Sequence, residues 1–236
     1  MFSSKRTLVV VPARGGSQGI PLKNLKIVGG RSLLARTGEV VSQLDFVDRA
    51  VCSTDHPRIA EEARAVGLET PFVRPQTLSG PLVSDAEVLE HALREVERQE
   101  GAEYDLVVML QPTSPLRRAE DVTGTVKMLV EGGYDAVWTV SLTDPKHHPL
   151  KQLIIEGDAL DYYDAEGAQI IARQQLTPVY HRNGVAYAIS RGCLLERRSI
   201  KGSRTGAMIV EAPAISIDTE SDCDFAEWIL SRRSSR

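Results

Sequence analysis

A glycine-rich loop between basic residues is the segment of this chain best suited to chemistry. It follows an apolar run at 8–11 and reads Ala13-Arg14-Gly15-Gly16-Ser17-Gln18-Gly19, continuing to Lys23 and Asn24. Glycines let backbone amides approach a ligand closely, and successive exposed amides form a nest that binds anions. Arg14 and Lys23 add positive charge on either side. This glycine loop (residues 13–19) therefore predicts a polyphosphate-binding site.

The spacing of the glycines excludes two common phosphate motifs. A Walker A loop requires Gly-Lys-Ser/Thr, but Gly19 is followed by Ile20. The dinucleotide fingerprint G-x-G-x-x-G does not fit glycines at 15, 16 and 19. What remains is A-R-G-G-S-x-G-I-P-x-K-N after a strand. A glycine-rich turn without a ligand is the alternative that the loop alone leaves open.

Two further segments place polar side chains at the ends of predicted strands. The segment 111–117 reads Q-P-T-S-P-L-R, and its prolines end the strand so that Gln111, Thr113 and Ser114 project into a cleft. Asp218 follows an apolar run at 214–217. Mg²⁺ bound to nucleotide phosphates usually takes only one or two carboxylates, so Asp218 is a candidate metal ligand. Thr219 and Asp222 fit a helix cap instead.

These residues need elements that bring them to one edge of a sheet. Strands are predicted at 8–11, 50–53, 71–73, 106–110, 136–141 and 214–217, and helices at 32–44, at 57–66, after the capping box that starts at Ser84, and after residue 116. This alternation predicts an α/β fold with a doubly wound, mostly parallel, Rossmann-like sheet. Such sheets bind ligands beyond the carboxyl ends of their strands.

The alternation is interrupted after residue 142 by a polar, turn-rich segment. We therefore predict one α/β domain made of residues 1–142 and 182–236, with an insertion (residues 143–181) that contains a hairpin or irregular loop near 162–167. His147 and His148 lie in this insertion, but adjacent residues point apart and do not predict a metal site.

Composition restricts the remaining functions. The 236 residues carry a net charge of −4, which argues against nucleic acid as the main partner. Three widely spaced cysteines suggest neither a metal site nor a disulfide framework. The residues before the first strand contain no hydrophobic leader and no apolar run approaches 18 residues, so we expect no membrane association and a cytoplasmic protein.

Four motifs between residues 9 and 227 together resemble the CMP-sugar-acid synthetase family. These are the glycine loop motif, R-P-x-x-L from Arg74, Q-P-T-S-P-L-R from Gln111, and R-Q-x-L-x-P-x-Y-x-x-N-G-x-x-Y from Arg173. This family comprises cytidylyltransferases that activate sialic, legionaminic and related 2-keto acids. The resemblance implies CTP and an acidic sugar as substrates, Mg²⁺ as cofactor, and a homodimer in which the insertion reaches the second subunit.

The resemblance also implies roles for individual residues. The nucleotide would be bound by Ala13, Arg14, Gly15, Gly16, Ser17, Lys23, Asn24 and Arg74. The acceptor would be bound by Gln111, Thr113, Ser114, Lys151 and Arg173, with the guanidinium of Arg173 matching a carboxylate. Catalysis would fall to Arg14, Lys23 and Asp218. A surface arginine at 74 and a salt-bridged structural arginine at 173 are the alternatives.

Two positions depart from the family pattern. Gln18 stands where a lysine is usual, and Ser216 where the first of two aspartates is usual in sialic-type enzymes. These changes keep open a different acid acceptor (KDO-like, pseudaminic or a phosphonate) or a nucleotide-binding homologue with little activity. A glycosyltransferase on the same fold would show a D-x-D motif in mid-sheet, and the only such tripeptide is Asp222-Cys223-Asp224, in the last predicted helix.

Overall fold

The computed structural model describes residues 5–234. Residues 1–4, 235 and 236, which belong to the predicted ranges 1–142 and 182–236, lie outside the described residues. None of the helices within residues 5–234 has the length and apolar character needed to cross a membrane.

A six-stranded sheet forms the centre of the protein, in the order β10-β6-β9-β5-β1-β4. Within residues 5–234 the strands are β1 (Thr7–Pro12), β2 (Ile27–Val28), β3 (Arg31–Ser32), β4 (Arg49–Ser53), β5 (Leu106–Met109), β6 (Ala136–Leu142), β7 (Leu153–Glu156), β8 (Ala159–Tyr162), β9 (Tyr180–Ser190) and β10 (Thr205–Ile209). β1 is parallel to β4 and β5, and β6 to β10, whereas β9 is antiparallel to both β5 and β6. The predicted mostly parallel α/β sheet is confirmed.

Helices cover both faces of this sheet. They are α1 (Leu33–Val41), α2 (Pro57–Ala65), α3 (Asp85–Glu100), α4 (Ala119–Gly132), α5 (Arg191–Leu195) and α6 (Glu220–Ser234), and short 3-10 helices lie at Lys23–Leu25, Gln76–Leu78, Pro145–His147, Pro149–Lys151, Ala165–Gln169 and Arg173–Gln175. The predicted capping box at Ser84 and Glu87 is present, and Gly133 caps α4 in the left-handed conformation. Local sequence signals therefore set these boundaries.

The apolar core is divided by the sheet into two layers. Val9, Val11 and Leu110 face the layer that includes Ile59 of α2 and Val126 of α4. The opposite layer includes Val10 and Val107 with residues of α3 and α5. A third, smaller cluster joins Ile20, Val28, Leu33 and Ile217 to α6, which fixes the last helix beside the glycine loop.

Two predicted strands are wrong. The segment 71–73 makes no ladder, because Pro71 cannot donate a hydrogen bond and Val73 is exposed. Only Glu69, just before it, makes an isolated bridge with Val51. The segment 214–217 is also not a strand, and its tie to the sheet edge is the bond from Ile217 N to Thr113 O. The remaining two strands of the sheet are β9 and β10, neither of which was predicted.

The insertion contains the antiparallel hairpin β7–β8, which turns at Gly157. The predicted hairpin near 162–167 therefore occurs a few residues earlier, and a 3-10 helix occupies Ala165–Gln169. Strand β9 begins at Tyr180, so it runs continuously across the predicted boundary between residues 181 and 182. Cys52, Cys193 and Cys223 are buried free thiols.

Candidate active site

A cavity of about 580 Å³ lies beyond the carboxyl ends of β1 and β5. Its lining brings together eight of the residues predicted for the site, namely Arg14, Ser17, Lys23, Asn24, Arg74, Gln111, Thr113 and Asp218. The lining includes three cationic side chains and two carboxylates, the second carboxylate being that of Asp85. Excess positive charge in a concave site suits a polyphosphate ligand.

The glycine loop is held to the end of β4. Ala13 N donates to Ser53 O at 2.9 Å, and Gly15 N donates to Asp55 Oδ1 at 2.8 Å. The Gly15 amide is therefore already engaged in this arrangement, and its predicted bond to phosphate stays a prediction. Gly16 has open space around its Cα.

The basic residue of the loop is held from two sides. Arg14 Nη1 donates to Gly80 O at 2.6 Å, and Asn24 Nδ2 donates to Arg14 O at 3.1 Å. Asn24 is buried and begins the chain's return from the loop toward β2. These contacts fix the Arg14 guanidinium at the cavity wall before any ligand binds, which lowers the entropic cost of binding.

Lys23 and Asp218 also line the cavity and form an ion pair there. Lys23 Nζ lies 2.7 Å from Asp218 Oδ1, with the lysine side chain 16% exposed and the aspartate 70% exposed. The two are brought together because Gly19 packs against the Asp218 backbone, where a Cβ at position 19 would lie 2.5 Å from Asp218 O. One oxygen of Asp218 thus binds a cation, and most of its surface faces solvent.

Asp222 caps the helix that follows Asp218. Its Oδ2 accepts hydrogen bonds from Asp218 N at 3.0 Å and Thr219 N at 2.7 Å. Partial burial acts to raise the pKa of Asp222, but these hydrogen bonds outweigh it, and the pKa is lowered. The carboxylate of Asp222 is thus occupied in holding the turn that presents Asp218.

Arg74 is almost completely buried at another wall of the cavity, so a surface role is ruled out. Its Nη2 donates to Ser53 O, its Nε donates to Ser53 Oγ at 3.1 Å, and its backbone N donates to Thr54 O at 2.8 Å. Burial lowers the pKa of Arg74 and the Asp55 carboxylate opposes that shift. The guanidinium is therefore positioned by the end of β4.

The turn after β5 is fixed by a buried arginine. Arg117 donates to Val185 O, to Gly184 O at 3.1 Å and to Gln111 O at 2.5 Å. Burial lowers the pKa of Arg117 to about 9. Gln111 and Thr113 line the cavity, whereas Ser114 is buried and donates to Asn183 O at 3.2 Å. Ser114 therefore ties the turn to β9.

Lys151 and Arg173 lie in exposed parts of the insertion and do not line this cavity. Both stand in short 3-10 helices on the surface. Within this one chain they are separate from the other predicted site residues, and their contact with the acceptor stays a prediction.

Sequence reasoning missed two acidic residues at or near the cavity. Asp85 lines it, and burial raises the pKa of this carboxyl against the opposing effect of Arg182 and Arg74. Asp55 lies behind the glycine loop. Asp85 lies in the first turn of α3, next to the capping box. It was missed because acidic residues are common in the first turn of a helix and so gave no sign of a binding site.

No cluster of three or more His, Cys, Asp or Glu side chains arranged to hold a metal ion occurs within residues 5–234. Mg²⁺ can bind through one or two carboxylates together with substrate phosphates. The exposed carboxylate of Asp218 at the cavity wall fits that requirement.

Comparison with known proteins identifies relatives along nearly the whole chain. Residues 8–229 match the family described as cytidylyltransferase. CMP-N,N'-diacetyllegionaminic acid synthase of Legionella pneumophila is 28% identical over 94% of both chains. Pseudaminic acid cytidylyltransferase of Campylobacter jejuni is 26% identical over 94% of this chain and 95% of its own. N-acylneuraminate cytidylyltransferase of Streptococcus agalactiae is 28% identical over 95% of this chain but 52% of its own.

Solved structures share the fold. A CMP:2-keto-3-deoxy-manno-octonic acid synthetase complexed with CTP superposes with a TM-score of 0.68 at 18% identity, covering 97% of this chain and 99% of its own. The 4-diphosphocytidyl-2C-methyl-D-erythritol synthase of Anaerococcus prevotii gives a TM-score of 0.65 at 17% identity, covering 96% and 99%. The sequence match contains the glycine loop, Gln111 and Asp218, and it confirms the family predicted from the four motifs. The chain therefore belongs to the cytidylyltransferase family and is a nucleotidyltransferase.

Proposed function

We propose that this protein transfers the cytidylyl group of CTP to a hydroxyl group of a 2-keto sugar acid and releases pyrophosphate. One observation carries the proposal. The glycine loop, Arg14 and the pair Lys23–Asp218 converge on one cavity at the sheet edge where this fold binds ligands. The names of the relatives, which include legionaminic, pseudaminic and N-acylneuraminic acids, support an acidic sugar as the acceptor.

The reaction needs positioning and charge stabilisation more than covalent chemistry. The acceptor hydroxyl oxygen attacks the α-phosphorus in line and loses its proton to solvent, and the bond from that phosphorus to the bridging oxygen of the β-phosphate breaks, so that pyrophosphate leaves. Arg14, Ser17 and the glycine loop hold the phosphates, and Lys23 neutralises the charge that develops on departing pyrophosphate. Asn24 and Arg74 bind near the nucleoside. Gln111 orients the acceptor.

Mg²⁺ would be held by Asp218 together with phosphate oxygens of CTP. When bound, the ion neutralises phosphate charge and so favours nucleophilic attack. The ion pair with Lys23 holds the Asp218 carboxylate at the cavity wall, which supports this assignment.

The insertion supports a homodimer. The hairpin β7–β8 and its neighbours expose apolar side chains that a single chain leaves uncovered, including Leu153, Ile155, Leu160 and Tyr163. Burial of such a surface against a second copy would be favourable. In that dimer Lys151 and Arg173 would be available to the cavity of the other subunit and bind the acceptor carboxylate there. Ile155→Glu should then yield monomers in light-scattering measurements, and unchanged mass would contradict this proposal.

A nucleotide-binding protein with little transferase activity is the second candidate. Gln18 and Ser216, the two departures from the family pattern, both line the cavity. The missing lysine and aspartate would weaken phosphate and metal binding there. In that case CTP would bind without release of pyrophosphate.

A cytoplasmic location stays a prediction.

The decisive experiment measures pyrophosphate release with Mg²⁺, each of the four nucleoside triphosphates, and a panel of 2-keto sugar acids. We expect release with CTP and one acid, and its loss in Lys23→Ala. Lys26→Ala is the matched control, because Lys26 pairs with Glu220 at 2.6 Å between the same two segments but does not line the cavity. CTP binding without release for any acid would favour the second candidate. Equal activity of the two variants would refute the role of Lys23.

A further inference from the structure

The segment from the last residue of β4 onward, residues 53–56, lies outside the four motifs described above and does not line the cavity. It nevertheless contacts two separate parts of the cavity wall. Asp55 Oδ1 accepts the hydrogen bond from Gly15 N at 2.8 Å, across 40 positions of sequence. A carboxylate that binds a backbone amide is among the stronger hydrogen-bond acceptors in proteins.

The same carboxylate acts on Arg74. Arg74 is 4% exposed, and its guanidinium donates hydrogen bonds to the uncharged oxygen atoms of Ser53. Among the neighbouring charges, Asp55 contributes most to keeping Arg74 protonated, whereas Arg14 opposes it. A buried cation without a compensating charge is strongly unfavourable, so Asp55 stabilises the charged form that lines the cavity.

The side chain of His56 restricts the position of the glycine loop by packing against Gly15. A Cβ on Gly15 would lie 2.9 Å from both Cβ and Cδ2 of His56. His56 itself is oriented by the bond from its backbone N to Thr54 Oγ1 at 3.1 Å. The glycine loop thus rests against His56 and is bonded to Asp55, which leaves Gly15 a narrow range of positions.

We propose that Asp55 is a positioning residue for the nucleotide, because its carboxylate anchors the glycine loop to the same short segment whose Ser53 and Thr54 oxygen atoms hold Arg74. The phosphate-binding side and the nucleoside-binding side of the cavity are thereby held at a fixed separation before CTP arrives. Such preorganisation increases affinity by removing the cost of ordering on binding. The identity of the ligand as CTP rests on the proposed function.

The first test is the affinity for CTP without acceptor, measured by calorimetry for Asp55→Ala, Asp55→Asn and a control. Asp105→Ala is a matched control, because the carboxylate of Asp105 likewise accepts a hydrogen bond from a backbone amide, that of Arg6, at 2.8 Å and lies near a cation, Lys5. This contact lies just before the start of β1, at the end of the strand away from the cavity. We expect Asp55→Ala to weaken binding by at least about tenfold, the scale of one charged hydrogen bond. Asp55→Asn keeps an acceptor for Gly15 and should lose less. Asp105→Ala should stay within about twofold of the wild type.

Turnover separates positioning from general destabilisation. Asp55→Ala should raise KM for CTP about as much as it weakens CTP binding, and leave KM for the acceptor unchanged. Equal CTP affinities for Asp55→Ala and Asp105→Ala, or equal increases in both KM values for Asp55→Ala, would overturn the proposal.

Hydrogen exchange in the ligand-free protein tests the anchor independently of the reaction. Amides of residues 13–19 should exchange at least about tenfold faster in Asp55→Ala, and at the wild-type rate in Asp105→Ala. If the wild type binds no CTP, the proposed function fails while faster loop exchange in Asp55→Ala still supports the anchor. Unchanged loop exchange would refute the anchor even if CTP turnover is normal.

Discussion

Replacing Gly19 by alanine tests whether close backbone packing positions the Lys23–Asp218 pair. The added Cβ would lie 2.5 Å from Asp218 O, whereas ordinary contact begins at 3.4 Å, so loop and turn must separate by about 0.9 Å. A misplacement of about 1 Å can reduce turnover by about 100-fold. Overpacking costs about 1–3 kcal/mol, and each kcal/mol lowers Tm by about 2–4 °C in a chain of this size.

Gly192→Ala is the control for this substitution, because it adds the same methyl group in α5, outside the cavity lining, where the nearest atom, Glu196 Oε1, lies at an ordinary contact distance of 3.5 Å. Pyrophosphate release with CTP and the preferred acid gives kcat and KM for both variants, and thermal unfolding gives their Tm. We expect kcat to fall by about 100-fold in Gly19→Ala and to stay within about threefold of the wild type in Gly192→Ala. Equal kcat values in the two variants would refute the argument that this contact positions Asp218.

Three further substitutions test other parts of the site. Asp218→Asn should raise the Mg²⁺ concentration that gives half-maximal activity at least about tenfold, because it removes a carboxylate ligand, and a chelator should abolish the activity of the wild type. An unchanged Mg²⁺ titration would contradict the assignment of Asp218 as a Mg²⁺ ligand. Arg117→Leu leaves buried carbonyls unpaired, each costing about 1–3 kcal/mol, so we expect urea unfolding to show a loss of about 3 kcal/mol or more. Asp222→Ala should cost about 1 kcal/mol at pH 7 through loss of its cap. Because the pKa of Asp222 is lowered in the folded protein, this stabilisation is present above the ordinary value of 3.8 and is lost on acidification below it. The Tm values of Asp222→Ala and wild type should therefore converge in acid, and a constant difference would contradict the pKa direction.

The central strands could be predicted because their sequences are dominated by apolar residues. Strands β1 and β5 are buried on both faces, and such strands read as continuous apolar runs. The segments 71–73 and 214–217 also contain large apolar residues, but the first includes Pro71, the second follows Pro213, and both lie outside the sheet, so hydrophobicity alone misassigned them. Strand β10 contains Gly206 and few β-branched residues, and its sequence carried little strand signal.

The site was predictable where neighbouring residues form a motif and unpredictable where distant segments meet. The glycine loop, Arg74 and Gln111 were predicted because each belongs to a motif, and Asp218 was predicted because it follows a segment that was wrongly assigned as a strand. Asp55 was missed because its partner lies 40 positions away and nothing in its local sequence marks the contact. The pairing of Lys23 with Asp218, across 195 positions, likewise depends on how α6 packs.

The position of β9 has a consequence for synthesis of the chain on the ribosome. β9 pairs on both sides, with β5 and with β6, yet it follows both in sequence and comes after the insertion. Until the nascent chain extends past Ser190, β5 has one unpaired edge and β6 lacks its neighbour β9. Unpaired edges in unfinished sheets promote aggregation. The sheet can therefore be completed only late in translation. Any delay while the insertion is synthesised prolongs the time during which the unpaired edges of β5 and β6 are exposed to other chains.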